Sequence, residues 1–242
     1  MRYDFREKAV EGGLAALALL SLAVLAGIVF YLFREGLPVF ASTGFLDFVF
    51  GTDWYPVGDQ PDFEIGSLIA GSLAVTFLAS LFAVPLGLMT AAYLSEVAAN
   101  TTRRIIKPFI ELLAALPSVV IGFIGMVLVA PWLQNTLGIA TGLNLFNAAL
   151  MLAFMAVPTI CSIAEDALHA VPRSLKDASL ALGATPWETL KNVTFPYALS
   201  GVGTAVMLGM SRALGETMVV LMVAGGAAGA AAFLAGSLGV ER

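Results

Sequence analysis

Residues 198–224 read ALSGVGTAVMLGMSRALGETMVVLMVA, an apolar run interrupted by only two charges, Arg212 and Glu216. At a rise of 1.5 Å per residue, a continuous helix of this length would be roughly 40 Å long, more than the ~30 Å hydrocarbon core of a bilayer requires. Arg212 then falls at mid-membrane. An arginine there costs about 2.5–3.5 kcal/mol on insertion scales, so it normally faces a partner, a cavity or a path rather than lipid. The i, i+4 spacing predicts Glu216 as that partner. Two roles are open on this evidence: an ion pair that holds helices together, or a site that handles anions.

The rest of the chain is written in the same solvent language. Of 242 residues, 59% are hydrophobic and only 12% charged, and the mean hydropathy is +0.92. A soluble domain of this size does not have that balance, so the chain is read as an integral membrane protein. Five stretches are long enough to cross: Gly12–Phe33, Ile65–Leu94, Phe109–Trp132, Phe146–Ile163 and Ala198–Ala224. The first exceeds the apolar core of a secretory signal and runs on into Tyr31-Leu32-Phe33-Arg34 with no cleavage pattern, which predicts a retained helix.

Basic residues alternate between the connections. Arg2, Arg6 and Lys8 precede the first span, Arg103, Arg104 and Lys107 follow the second, and Arg173, Lys176 and Lys191 follow the fourth; together they make nine of the 12. The connection at 34–64 is acidic instead. By the positive-inside rule the N-terminus, residues 1–11, is cytoplasmic, and the net charge of -5 mainly reflects the acidic outer loop. Cys161, the single cysteine, lies within a span and is read as a small buried residue. His169, the single histidine, is expected to be solvated or to cap a helix. The glycosylation patterns at Asn100 and Asn192 fall on the cytoplasmic side, where they carry no meaning.

The cytoplasmic segment 165–196 is more than a tether. It turns at Pro172, runs helically from Arg173 to Leu182 and stops at Gly183, a helix-ending residue. Thr185, Pro186 and Glu188 form a capping-box sequence that starts a second helix, on which Trp187, Leu190 and Val193 recur at helical spacing before Pro196 breaks it. Two short amphipathic helices on one face read either as a docking surface or as a hairpin packed on its own bundle.

Asp177-Ala178-Ser179, then Gly183 after three residues, then Val193, Phe195 and Pro196 resemble the EAA motif of ABC importer permeases: Glu-Ala-Ala, three residues, Gly, nine residues, Ile-x-Leu-Pro. The spacing is kept throughout; Asp for Glu, Ser for Ala, Val for Ile and Phe for Leu are the departures. The resemblance implies that Asp177, Ala178, Ser179, Gly183, Trp187, Val193, Phe195 and Pro196 belong to helices that enter a groove on an ATPase subunit. Other stretches resemble the phosphate permeases of the PstC type. These are Ser211-Arg212-Ala213-Leu214-Gly215-Glu216-Thr217-Met218, Phe50-Gly51-Thr52-Asp53-Trp54-Tyr55-Pro56 in the outer loop, Ala83-Val84-Pro85-Leu86-Gly87, and Ala115-Leu116-Pro117-Ser118-Val119-Val120. The likeness runs from about residue 5 to about residue 225. It implies an all-α, polytopic transmembrane bundle of the type I importer permease kind, with a permease domain over 12–224. Implied partners are a PstA-like permease, a dimer of ATPase subunits, a periplasmic phosphate-binding protein and the bilayer of a bacterial inner membrane, with phosphate as substrate and no nucleic acid.

On that reading Arg212 is the oxyanion ligand, since a guanidinium stays charged at low dielectric and its planar fork suits two oxygens. Glu216 would repel a bare anion, so it is either a counterion exchanged for substrate or an acceptor for a protonated phosphate oxygen. Gly201, Ala205 and Gly209 form a small-xxx-small stripe for close helix contact, and Ser72, Thr76 and Ser80 a polar stripe that lines a path or bonds within the bundle. Pro85, Gly87 and Pro117 are positions where helices can kink. A phosphate-binding Gly-x-x-x-x-Gly-Lys loop is absent, and so is any metal-spaced His/Cys set. The chain is therefore expected to bind no cofactor itself, ATP and magnesium being used by the partner ATPase. The tail at 225–242 is short and rich in Gly and Ala, which predicts an incomplete sixth span and an impaired pore. Permeases for molybdate or sulfate share the docking segment and form a second reading; a membrane scaffold without transport is a third.

Overall fold

The computed structural model describes residues 2–55 and 62–225, and it is helical nearly throughout. The expected incomplete sixth span lies outside the described residues. The chain divides into two units, Met1–Ser67 and Leu68–Arg242.

The first unit opens with α1 (Arg2–Gly36), whose segment Val10–Gly36 is long and apolar enough to cross a membrane. Two short helices follow, α2 (Val39–Ser42) and α3 (Phe45–Phe50), and then a small antiparallel pair, β1 (Trp54–Tyr55) and β2 (Asp62–Phe63), in which Trp54 faces Phe63. The pair is closed by the Glu64 carboxylate, which accepts from the Asp53 backbone N–H at 2.8 Å. Gly51 makes that closure possible, because any Cβ there would overlap the Glu64 carboxyl group and the Asp47 carbonyl.

The second unit is built around a buried helix. α4 (Gly66–Ala92) continues into a π turn at Tyr93–Val97 and accommodates Pro85 without breaking; α5 (Asn100–Ala114) is separate and amphipathic. The expected third span, starting at Phe109, is thus divided. Helix α5 ends at Ala114, and the crossing stretch begins at Ser118 with α6 (Ser118–Ile124), a second π turn (Gly125–Val129) and α7 (Ala130–Leu137). Pro117 explains the break, since it lacks an N–H and forces Leu116 away from helical backbone. Helix α8 (Leu145–His169) is capped by Asn144 and lies at the centre, its Ala148, Leu152, Ala156, Ile160, Ala164 and Leu168 all buried.

Beyond the helical hairpin described below, α12 (Leu199–Leu214) packs along α8. The small-residue stripe does meet its neighbour closely. A Cβ on Gly201 would press on Ala167, Ala205 is fully buried, and a Cβ on Gly209 would overlap Ile160. Gly87 on α4 approaches the same isoleucine, leaving a Cβ only 2.8 Å from Ile160 Cγ2. Ile160 therefore sits between two glycines from different helices.

The expected fifth span is not one helix. Helix α12 ends at Leu214, residues 215–217 turn, and α13 (Met218–Val223) resumes. Gly215 weakens the helix by its backbone freedom. Among the described residues, four stretches are long and apolar enough to cross a membrane, and a fifth counts only if Leu199–Leu214 is taken with Pro186–Tyr197, to which it is bent by 74°.

Candidate functional site

The break at 215–217 separates the two charges that a continuous helix would have paired. No ion pair joins Arg212 and Glu216. Instead the half-buried Arg212 guanidinium donates from Nη1 to Thr159 Oγ1 on α8 at 3.1 Å and from Nη2 to the Ala114 carbonyl at 2.8 Å. Ala114 ends α5, where carbonyls lack partners within the helix, so a cation there meets both an unsatisfied acceptor and the negative end of the helix dipole. Neither partner was legible from the sequence. Thr159 is 53 residues away and Ala114 is 98.

Glu216 faces elsewhere. It lines a cavity of about 330 Å³ together with Ser72 and Thr76 of α4, Leu152 of α8, Ala213 of α12 and Thr217. Of the polar stripe on α4, Ser72 and Thr76 line this space, whereas Ser80 turns its hydroxyl back to the Thr76 carbonyl at 2.7 Å.

A second charged centre, not anticipated as a unit, closes the C-terminal end of α8. Glu165, 1% exposed, pairs with Arg103 and with Lys107 Nζ at 2.7 Å, and Lys107 also meets Asp166. Arg103 Nη1 lies 3.0 Å from Nδ1 of His169, which is therefore bonded to a neighbouring helix rather than simply solvated. Burial opposes the charge on Lys107, but hydrogen bonds to Asp166 and Glu165 outweigh it and raise its pKa. The charge and the stability it brings are thus fully present below the ordinary lysine value of about 10.4 and are lost only as pH rises through the higher folded value. The sequence signal was present in Arg103 and Lys107 at i, i+4, but nothing local connects them to an acid 58 residues on.

The hairpin between α8 and α12 carries the motif residues. Helix α9 (Arg173–Ala181) stops at Gly183, whose φ of +86° is left-handed and suits only glycine well. Thr185 then caps α10 (Pro186–Thr189) through the full capping box: its hydroxyl accepts from the Glu188 backbone, and the Glu188 carboxylate accepts from the Thr185 N–H at 2.8 Å. That backbone bond, followed by a bond from the Thr185 hydroxyl to the same carboxylate oxygen at 2.8 Å, lowers the Glu188 pKa. A π turn (Leu190–Thr194) and α11 (Phe195–Tyr197) complete the path. Pro196 does not break the helix as the sequence suggests. It sits at the start of α11, where a missing N–H is tolerated, and the direction changes at Ala198.

Ser179 bonds Thr189 at 3.0 Å and ties the two helices, while Lys176 pairs with Glu96 at 2.6 Å and ties α9 to the π turn ending the second span. Asp177, Ala178, Gly183 and Pro196 are exposed, Val193 and Phe195 are half-buried, and Leu190 is buried. Leu182 is 90% exposed and Trp187 69%. A hairpin that packed its apolar residues on its own bundle would not leave these two outside.

Residues 83–240 match the family described as "Binding-protein-dependent transport system inner membrane component". The chain belongs to this family. Curated relatives include the probable ABC transporter permease protein YqgH of Bacillus subtilis, 40% identical over 87% of this chain and 69% of that protein. The phosphate transport system permease protein PstC of Mesorhizobium japonicum is 35% identical over 88% of this chain and 70% of that protein. Its counterpart in Pasteurella multocida is 36% identical over 86% and 69% respectively. Among solved structures, an inward-facing form of the MetNI methionine ABC transporter superposes with a TM-score of 0.57 at 25% identity, covering 70% of this chain and 79% of that one. A bacterial ABC transporter that imports alginate shares the fold, with a TM-score of 0.52 at 15% identity over 92% of this chain and 85% of that one.

Proposed function

We propose that this chain is the membrane permease subunit of an ATP-driven phosphate importer. It is a transport permease subunit rather than an enzyme, and ATP hydrolysis belongs to a separate subunit. The observation that carries the reading is one stretch of chain in which an outward-facing hairpin with exposed Leu182 and Trp187 leads directly into α12 and Arg212. The PstC relatives supply the substrate class.

In this reading the N-terminus and the segment 165–196 are cytoplasmic, in a bacterial inner membrane. Asp177, Ala178, Ser179, Gly183, Trp187, Val193, Phe195 and Pro196 form or support the docking face for an ATPase dimer. A PstA-like permease completes the pathway, and a periplasmic phosphate-binding protein delivers the substrate. Arg212 is the oxyanion ligand, held between cycles by Thr159 and the Ala114 carbonyl rather than by Glu216. Its planar fork already spans two oxygen acceptors, the arrangement that two phosphate oxygens would take over.

The test is labelled phosphate uptake in cells whose own permease is deleted and replaced by this chain with its partner subunits. Uptake is expected with the native sequence and is expected to fall with Arg212→Ala at an unchanged amount of membrane-inserted protein. Uptake of sulfate or molybdate in place of phosphate would move the reading to another oxyanion. Failure to co-purify with any ATPase would leave a scaffold.

A further inference from the structure

Hydroxyl groups inside apolar helices ordinarily bond back to their own backbone, and among the described residues four do: Ser21 to the Ala18 carbonyl at 2.9 Å, Ser80 to the Thr76 carbonyl at 2.7 Å, Thr90 to Leu86 at 2.7 Å and Thr204 to Ser200 at 2.9 Å. Ser72, Thr76 and Thr217 do not. Their hydroxyls and the Glu216 carboxylate make no hydrogen bond within the described residues, and all four line the same cavity. Its volume of about 330 Å³ lies at the lower end of the range for small-molecule sites. Thr76 is buried and Glu216 half-buried, while Ser72 and Thr217 are more exposed; together they set unpaired donors and acceptors around one largely apolar space, the arrangement a small polar ligand would satisfy.

The chemistry of the four is asymmetric. Three hydroxyls can donate or accept, whereas the carboxylate of Glu216 can only accept. The remaining lining is apolar, with no other ionisable group among the described residues; Arg212, nearest in sequence, is turned toward Thr159 and Ala114. An anion with no proton would bring its oxygens against the carboxylate with nothing to donate. One that keeps an O–H would give that proton to Glu216 as a hydrogen bond while its bare oxygens take the hydroxyls of Ser72, Thr76 and Thr217.

We propose that the cavity of Ser72, Thr76, Glu216 and Thr217 is a selectivity subsite that passes tetrahedral oxyanions bearing at least one proton and rejects those bearing none. Phosphate and arsenate keep a proton near neutral pH, and sulfate does not. This assigns Glu216 and Arg212 to separate stations rather than to one ligand set. It rests on the oxyanion-permease reading above.

The experiment measures binding of labelled phosphate to the assembled transporter without its binding protein, with arsenate or sulfate as competitor. Arsenate is expected to displace phosphate, and sulfate to do so at least ~tenfold less well, because a site built to receive a substrate hydrogen bond rejects the analogue lacking it. Glu216→Gln should collapse that discrimination by admitting sulfate. Ser72→Ala and the near-isosteric Thr76→Val should weaken phosphate and arsenate together, leaving their ratio unchanged. Ser80→Ala, whose hydroxyl is spent on the backbone, should behave as the native protein. Size-exclusion profiles identify any variant that fails to assemble, and for Glu216 the variant Glu216→Asp, which should retain rejection of sulfate, then decides. Equal competition by sulfate in the native transporter, no retained phosphate, or undiminished discrimination in Glu216→Gln would each overturn the inference. If cells dependent on this chain take up no phosphate at all, the function reading fails instead.

Discussion

Two places in the second unit bring basic and acidic residues together near the membrane, and they are built in opposite ways. At the C-terminal end of α8, Glu165 is shut in by Arg103 and Lys107, so that a buried carboxylate has two cations on it. At the break after α12, Arg212 and Glu216 are four residues apart and yet face different surroundings, one engaged by neutral oxygens and the other without a hydrogen-bond partner in a cavity. The first arrangement satisfies its charges and gains rigidity. The second leaves an acceptor unpaired, the feature on which the proposed subsite rests.

The contrast can be broken most directly at Glu165. Replacing it with alanine leaves two cations facing an empty site, a defect that costs about 3–5 kcal/mol when one partner of a buried pair is removed. Thermal unfolding in detergent should show a large loss of folded protein; a stable but transport-dead variant would mean that this cluster, too, is working machinery. Arg212→Ala comes next. It should leave protein levels near native and reduce phosphate uptake about tenfold to a hundredfold, the equivalent of ~1.5–3 kcal/mol in charged hydrogen bonds. Disappearance of the protein would place Arg212 among the struts with Arg103 and Lys107.

A smaller effect is expected on the packed face of the helix that carries Arg212. Gly209→Ala drives a methyl group into Ile160 and should cost about 1–3 kcal/mol, whereas Gly203→Ala, with open space around it, should cost nothing measurable. Equal stability of the two in chemical denaturation would show that α12 is not meshed with α8. Trp187→Ala should change stability least, within about 0.5 kcal/mol for an exposed side chain, while reducing the ATPase recovered with the purified permease. Retention of a full complement of ATPase would remove Trp187 from the docking face.

What was legible in advance divides along the same line between local and distant causes. The capping box at Thr185 and Glu188, the stop at Gly183 and the first, second and fourth crossing segments follow from neighbours in the chain, and the structure forms them close to where the spacing puts them. Even so, the third span begins at Ser118 instead of Phe109, because one proline outweighs a continuous apolar composition. The Arg212–Glu216 pairing failed for a related reason: i, i+4 geometry holds only while the helix does, and Gly215 ends it. Glu165 was readable as an acid near a membrane boundary but not as a buried one, since its partners Arg103 and Lys107 arrive on α5, a helix that the sequence reads only as a basic connection.

The isoleucine held between Gly87 and Gly209 has a mechanical consequence. With α4 and α12 both seated against Ile160 at contact distance, neither can rotate about its own axis without lifting the other from α8. The three helices form a keyed block, and a key transmits torque. Any turning force delivered to the foot of α12 is therefore shared by all three, and the play in the mechanism lies at the unkeyed joints, residues 115–117 and 215–217, on either side of Arg212.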